Sequence, residues 1–150
     1  QWTVRERGAT FLLRPTPFKH VGFFPEQAPN WELVARAAAE LGAAGGAAAP
    51  QLLNLFGYTG VASVLAARAG FAVTHVDASR ASLAWARENA ERSGLGERAF
   101  RVLLEDGLAF ARREGRRGNR YAAVLLDPPH YGRGPKGEVW TVAPAFEQSG

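Results

Sequence analysis

An α/β fold built on a doubly wound parallel sheet is what most of this sequence predicts, and three observations predict it. From residue 51 onward, short apolar runs alternate with helical segments of ten to sixteen residues. That rhythm specifies βαβ units with right-handed crossovers. A glycine turn, "GYTG", separates the first apolar run from the first helix, as close strand-to-helix connections require. The third observation concerns charge. The chain has only three aspartates, Asp77, Asp106 and Asp127, and each falls at the C-terminal end of a predicted strand.

The elements follow in order. Residues 1–30 form a short N-terminal extension with two extended candidates, "WTVRER" and "TFLLRP". A stretch rich in proline (Pro15, Pro17, Pro25, Pro29) comes next. Asn30 can cap a helix beginning "WELVARAAAELG", whose apolar positions recur three and four apart and which Gly42 can end. "GAAGGAAAP" is a small-residue connector, and no internal repeat is visible. Residues 31–150 then carry the main domain. "QLLNLF" is its first strand, "VASVLAARAG" the first helix after the glycine turn, "FAVTHVD" the second strand. "SRASLAWARENAERSG" is a helix with Ser79 as its cap, "AFRVLLED" the third strand, "GLAFARREGRR" a helix, and "YAAVLLD" the fourth strand. Four strands make part of such a sheet, so the expectation is a Rossmann-like domain incomplete at its C-terminus.

Composition sets the outer limits. The 150 residues are 47% hydrophobic, enough for one core. No window approaches the roughly 20 apolar residues of a membrane span, and "QWTVRERG" does not read as a signal peptide. With no cysteine, disulfides and thiolate metal sites are excluded within these residues, and no metal site is expected. A reducing, cytoplasmic setting fits that usage. The absence of methionine, even at position 1, reads as a piece of a longer chain. The net charge is +4, and "RREGRRGNR" (112–120), with five arginines and one glutamate, carries that same excess by itself. Such a cluster either meets phosphates or is a solvated helix end favoured by the helix dipole.

The carboxylates point to function. In a parallel sheet the C-terminal strand ends share one rim, and open α/β sheets bind ligands in the crevice along it. Asp77 lies 20 residues beyond Gly57, the spacing at which an acid reaches a nucleoside ribose. Each acid also has an ordinary role: Asp106 can cap the helix starting at Gly107, and Asp77 can form an Asx turn before Ser79. Their joint placement favours a site. A dinucleotide site normally shows three glycines, G-x-G-x-x-G. Here there are two, Gly57 and Gly60, read as allowing positive φ and close backbone approach, with Tyr58 and Thr59 between. Larger residues leave less room for a pyrophosphate. A cofactor with a ribose, an adenine and a cationic centre but no phosphate, S-adenosylmethionine, fits better than NAD.

The last strand ends in "LLDPPHYG". Two prolines fix the backbone after Asp127 and so aim it, while His130 and Tyr131 offer flat groups on which an extruded base could stack. Asp127 and Pro128 are the candidate catalytic positions. His20 and His130 are candidate bases, and His75, in mid-strand, reads as core.

"LLNLFGYTGVASVLAARAG", "VTHVDAS", "LLEDGLAF" and "LLDPPHYG" together resemble the successive motifs of class I S-adenosylmethionine-dependent methyltransferases. The likeness is strongest to the group containing the large-subunit ribosomal RNA cytosine-C5 methyltransferases, and it covers about residues 20–140. It implies the class I methyltransferase fold and an RNA-methylating enzyme. By that likeness Asn54, Phe56, Gly57, Tyr58, Thr59 and Gly60 would cradle the methionine part. Asp77 would hold the ribose and Asp106 the adenine amino group, with Ala78, Ser79 and Gly107 completing the set. Asp127 and its prolines would line the transfer point. "GFFPEQAPNW" resembles a loop that closes over the cofactor in this group. It keeps Gly22 and Gln27 but has Glu26 for the usual acid and Ala28 where an arginine would be. In that group, C5 methylation uses a cysteine nucleophile that would fall beyond residue 150. The alternatives are an NAD-dependent oxidoreductase domain and a non-catalytic RNA-binding module.

Overall fold

The computed structural model describes residues 1–129, 131–133, 136 and 139–141. Two strands, β1 (Trp2–Glu6) and β2 (Ala9–Leu13), pair antiparallel as a hairpin. Its two-residue loop, Arg7–Gly8, has φ of +50° and +79°, the double left-handed geometry whose twist matches that of hairpin strands. A 3-10 turn (Pro25–Gln27) leads into helix α1 (Ala28–Ala43). There follow β3 (Gln51–Leu55), α2 (Val61–Ala69), β4 (Ala72–Asp77), α3 (Arg80–Arg92), β5 (Phe100–Leu104), α4 (Gly107–Arg117) and β6 (Ala123–Leu126). A short antiparallel pair, β7 (Tyr131–Arg133) and β8 (Val139–Thr141), comes last.

The alternation of strand and helix gives the predicted parallel sheet. Its order is β5-β4-β3-β6, with every neighbouring pair parallel. The chain therefore starts in the interior of the sheet, moves outward through β4 to β5, and then returns to the other side of β3. The order reverses between β3 and β6, which is where open α/β sheets make their crevice.

Alternating side chains serve two layers. Leu52 and Val73 face a large core made with α1, α2, α3 and the hairpin, including Phe11, Trp31, Val64, Phe71, Ala86 and Phe100. Leu53, Leu55 and Val76 face the opposite layer, where Phe110 of α4 covers them. The hairpin is tied to α3 by polar bonds as well as by packing. Leu12 N donates to Asn89 Oδ1 at 2.8 Å, Trp85 Nε1 donates to Leu12 O at 3.0 Å, and Thr10 N donates to Ser93 Oγ at 3.1 Å. Fully buried Asn89 also donates from Nδ2 to Thr59 O at 2.8 Å, so one side chain joins the hairpin to the glycine turn.

Two expectations need correction. Asn30 does not cap α1, because the helix begins at Ala28 with Gln27 at its N-cap. Pro29 sits in the first turn, where its fixed φ suits a helix and its missing N–H costs nothing. Asn30 instead donates from Nδ2 to Gln27 Oε1 at 2.8 Å. Gly42 does not end the helix either. The helix runs to Ala43, and the left-handed residue is Gly45, at φ +82°.

Candidate functional site

A cavity of about 870 Å³ opens at the C-terminal ends of the strands, within the range of small-molecule and cofactor sites. Asp77, Asp106 and Asp127 all line it. The three acids thus share one hollow, although they reach it differently.

The glycine turn supplies the floor. Gly60 has φ +83° and a Cβ there would lie 2.9 Å from Ala86 Cβ, so both conformation and space demand glycine. Gly57 differs from the sequence-based expectation, because its φ is not in the left-handed region. The residues that are there are its neighbours, Phe56 at φ +58° and Tyr58 at +53°, which is uncommon for aromatic side chains. Gly57 is required by contact: a Cβ would lie 2.2 Å from His75 Cε1 and 2.3 Å from Nδ1. His75 is completely buried, as its mid-strand position implied. Its Nδ1 lies 2.8 Å from Ser63 Oγ, which accepts from Asn54 Nδ2 at 2.8 Å, and its Nε2 has no hydrogen-bond partner among the described residues. Burial lowers the His75 pKa to about 4, against a smaller opposing effect of the Tyr58 backbone, so the ring is neutral near neutral pH.

Asp77 forms the Asx turn expected of it and also makes a contact the sequence did not suggest. Its Oδ1 accepts from Ser79 N at 2.9 Å, which is the Asx turn, and its Oδ2 accepts from Tyr58 N at 2.9 Å, which pins the glycine turn. Burial raises its pKa, while the N–H groups of Ser79, Tyr58 and Ala78 counter that. The carboxylate still has acceptor capacity for a ligand hydroxyl. Tyr58 titrates above its ordinary value, first because it is buried and second because Asp77 lies beside it. Asp106 is the N-cap of α4 and accepts from Ala109 N at 2.8 Å. Asp127 is exposed, one residue past β6, and Pro128 and Pro129 line the cavity after it.

Of the other residues singled out in the sequence, Gln27, Asn54, Phe56, Gly57, Tyr58, Thr59, Ala78 and Ser79 also line the cavity. The Thr59 hydroxyl is committed elsewhere, donating to Gly22 O at 2.6 Å. Gly60 and Gly107 are not lining residues: Gly60 backs onto Ala86, and a Cβ at Gly107 would lie 3.0 Å from the Phe56 ring. His130 lies outside the described residues, as does the side chain of Tyr131. The strand-end pattern did not reveal the wall opposite the sheet, made by His20, Phe24, Trp31, Leu33 and Val34. Its sequence signals were the "GFFPEQAPNW" loop, which the resemblance sets over the cofactor, and His20, a candidate base. That loop is fastened by the Thr59–Gly22 bond and by Gly22 itself, whose φ is +81° and whose Cβ would meet the Trp85 ring at 2.4 Å. The arginine-rich segment lies away from the cavity. Helix α4 starts beside the rim and runs back for 11 residues, about 16 Å. Within the segment, Arg113 pairs with Glu105 at the near end, and Arg112, Arg116, Arg117 and Arg120 are exposed.

Comparison with known proteins decides the kinship. The chain is 46% identical to a SAM-dependent methyltransferase of Agrobacterium tumefaciens, with a TM-score of 0.87 over 95% of this chain and 44% of that one. The chain is a homologue of S-adenosylmethionine-dependent methyltransferases. It has their Rossmann-like fold. A candidate methyltransferase complexed with SAH is 25% identical, with a TM-score of 0.78 over 99% of this chain and 37% of that one. Among curated proteins, ribosomal RNA large subunit methyltransferase K/L of Syntrophotalea carbinolica is 33% identical over 132 residues, 87% of this chain and 17% of that protein. Its namesake in Stutzerimonas stutzeri is 35% identical over 129 residues, 85% of this chain and 16% of that protein. The chain therefore spans about a sixth of the length of the curated relatives it matches. No family model matches. The relatives' names specify large-subunit RNA and no methylated atom. No helix among the described residues is long and apolar enough to cross a membrane.

Proposed function

We propose that this chain is the cofactor-binding part of an S-adenosylmethionine-dependent RNA methyltransferase acting in the cytoplasm. The observation that carries this reading is the convergence of Asp77, Asp106 and Asp127 on one cavity floored by the glycine turn. The homologues named for ribosomal RNA methylation support the substrate class.

The lining suits the cofactor chemically. Asp77, with acceptor capacity beside Ala78 and Ser79, would take the ribose hydroxyls. Asp106, which lines the cavity together with Phe56, would take the adenine amino group, with Phe56 as an apolar wall. The first turn of α2 starts from Gly60 with no side-chain cap, so its N–H groups suit the methionine carboxylate. Asn54 and Gln27 offer polar groups at the same end. When bound, S-adenosylmethionine supplies an electrophilic methyl carbon on a sulfonium.

Transfer of that methyl is an in-line displacement, which gains from alignment and from charge placed where the acceptor loses its proton. Asp127 is the residue to meet that need. It sits at the exit of β6, exposed to an incoming base, and Pro128 limits its backbone to extended geometry. Pro129 fixes the next step of the chain. The domain division proposed is residues 1–30 as an extension and 31–150 as the methyltransferase part, with the extension contributing His20, Phe24 and Gln27 to the cavity wall.

The test is transfer of radiolabelled methyl from S-adenosylmethionine to ribosomal RNA by the full protein that carries this chain. Incorporation is expected, with kcat reduced about 100-fold in Asp127→Ala. RNA that stays unlabelled while still bound would make the chain a binding module.

A further inference from the structure

Residues 14–22 form a loop of which only His20 lines the cavity. It is closed by Arg14 N donating to Val21 O at 3.2 Å and Thr16 N donating to His20 O at 3.2 Å. Thr16 Oγ1 also donates to His20 O at 2.9 Å and accepts from Phe18 N at 3.3 Å. Pro15 and Pro17 fix their own φ, and Lys19 at the tip holds φ +59°. These constraints set the Phe18 ring outward, 79% exposed.

Isolated apolar side chains on a surface are ordinary, but Phe18 is not isolated. Its ring lies 6.3 Å from the His20 ring at an interplanar angle of 16°, close to parallel. The His20 ring is itself held, since Gly22 N donates to its Nδ1 at 3.2 Å. His20 continues to Phe24 at 5.1 Å and to Tyr58 at 5.6 Å, edge-on at 82°. His20, Phe24 and Tyr58 all line the cavity. The rings thus make a path from solvent to the cavity, stiffened by the loop's own hydrogen bonds. Lys19, beside Phe18, makes no ion pair among the described residues, leaving a cation at the outer step.

We propose that the Phe18–His20 ring pair is a stacking platform for an unpaired RNA nucleobase, placed at the mouth of the cavity to guide the substrate strand in. The inference rests on the RNA methyltransferase reading and adds the surface by which single-stranded substrate is engaged. Flat aromatic faces stack with any base, whereas duplex RNA hides its bases. Lys19 supplies the charge a neighbouring phosphate needs. A protein partner would use the same apolar ring without needing an unpaired base, and the experiment separates the two.

The experiment titrates the full protein into a short single-stranded RNA carrying a fluorescent adenine analogue, and into the same sequence as a duplex. Quenching by the single strand is expected. Phe18→Ala should weaken its binding about 5- to 150-fold, the range of one base–aromatic stack. Phe18→Trp, which keeps a stacking face, should retain wild-type affinity. Neither variant should change the affinity for S-adenosylhomocysteine, because Phe18 is outside the cavity lining. Phe18→Ala that binds single strand as wild type does, or duplex bound as well as single strand, overturns the platform. Failure of S-adenosylhomocysteine to bind, with the Phe18→Ala loss still present, removes the methyltransferase reading and leaves the platform standing.

Discussion

The junction after β3 and the junction after β5 do the same topological job, turning a parallel strand into a helix at the cavity rim, by opposite means. After β5, Asp106 caps α4 through Ala109 N and the helix start is satisfied locally. After β3 nothing local suffices. Phe56 and Tyr58 are left-handed, and α2 begins without a side-chain cap. The turn is held from outside, by Asp77 on Tyr58 N, by Gly22 on the Thr59 hydroxyl and by Asn89 on Thr59 O. A connection that breaks local rules and is fixed by its neighbours marks a place shaped for a ligand. The capped junction marks one shaped for folding, even though its acid faces the same hollow.

The sharpest way to break that contrast is Gly57→Ala. The added Cβ has no room beside the buried His75 ring, so unfolding stability measured in urea should fall by about 3 kcal/mol. Adding His75→Ala should return part of the loss, since the two side chains would then no longer compete.

Next in size is the pH response of His75. Its folded-state pKa is lowered from 6.5 to about 4. Its contribution to stability is therefore present in full above pH 6.5 and is lost as pH falls from 6.5 to about 4. Up to about 3 kcal/mol should go over that range. Urea midpoints of the wild type and His75→Asn, compared across it, should converge or cross as the pH drops. The smallest effect belongs to the capped junction. Asp106→Ala should cost about 1 kcal/mol, read in the same urea experiment, and should leave the glycine turn in place because Asp77, Gly22 and Asn89 hold it.

Much of this was legible in the sequence, for reasons the comparison makes plain. Apolar periodicity and glycine placement specified all four parallel strands and the helices between them, and Ser79 was recognisable as a cap because capping is local. The three acids were legible because a parallel sheet puts every strand end on one rim. The reason for Gly57 was not, because a glycine demanded by a side chain 18 residues away looks the same as one demanded by φ. Nor were left-handed Phe56 and Tyr58, since no local preference asks for them. Leu33 and Val34 escaped as cavity lining because helix α1 packs from outside the βαβ pattern. Asn30 misled because Pro29 suits a helical first turn as well as it suits a loop.

Whether the glycine turn and its tethering acid form a cofactor pocket can be read by calorimetric titration of S-adenosylhomocysteine into the full protein and its Asp77→Ala variant. One-to-one binding by the wild type, weakened at least about 10-fold in the variant, is the predicted result. Equal affinity in both proteins, or no heat from the folded wild type, would contradict it.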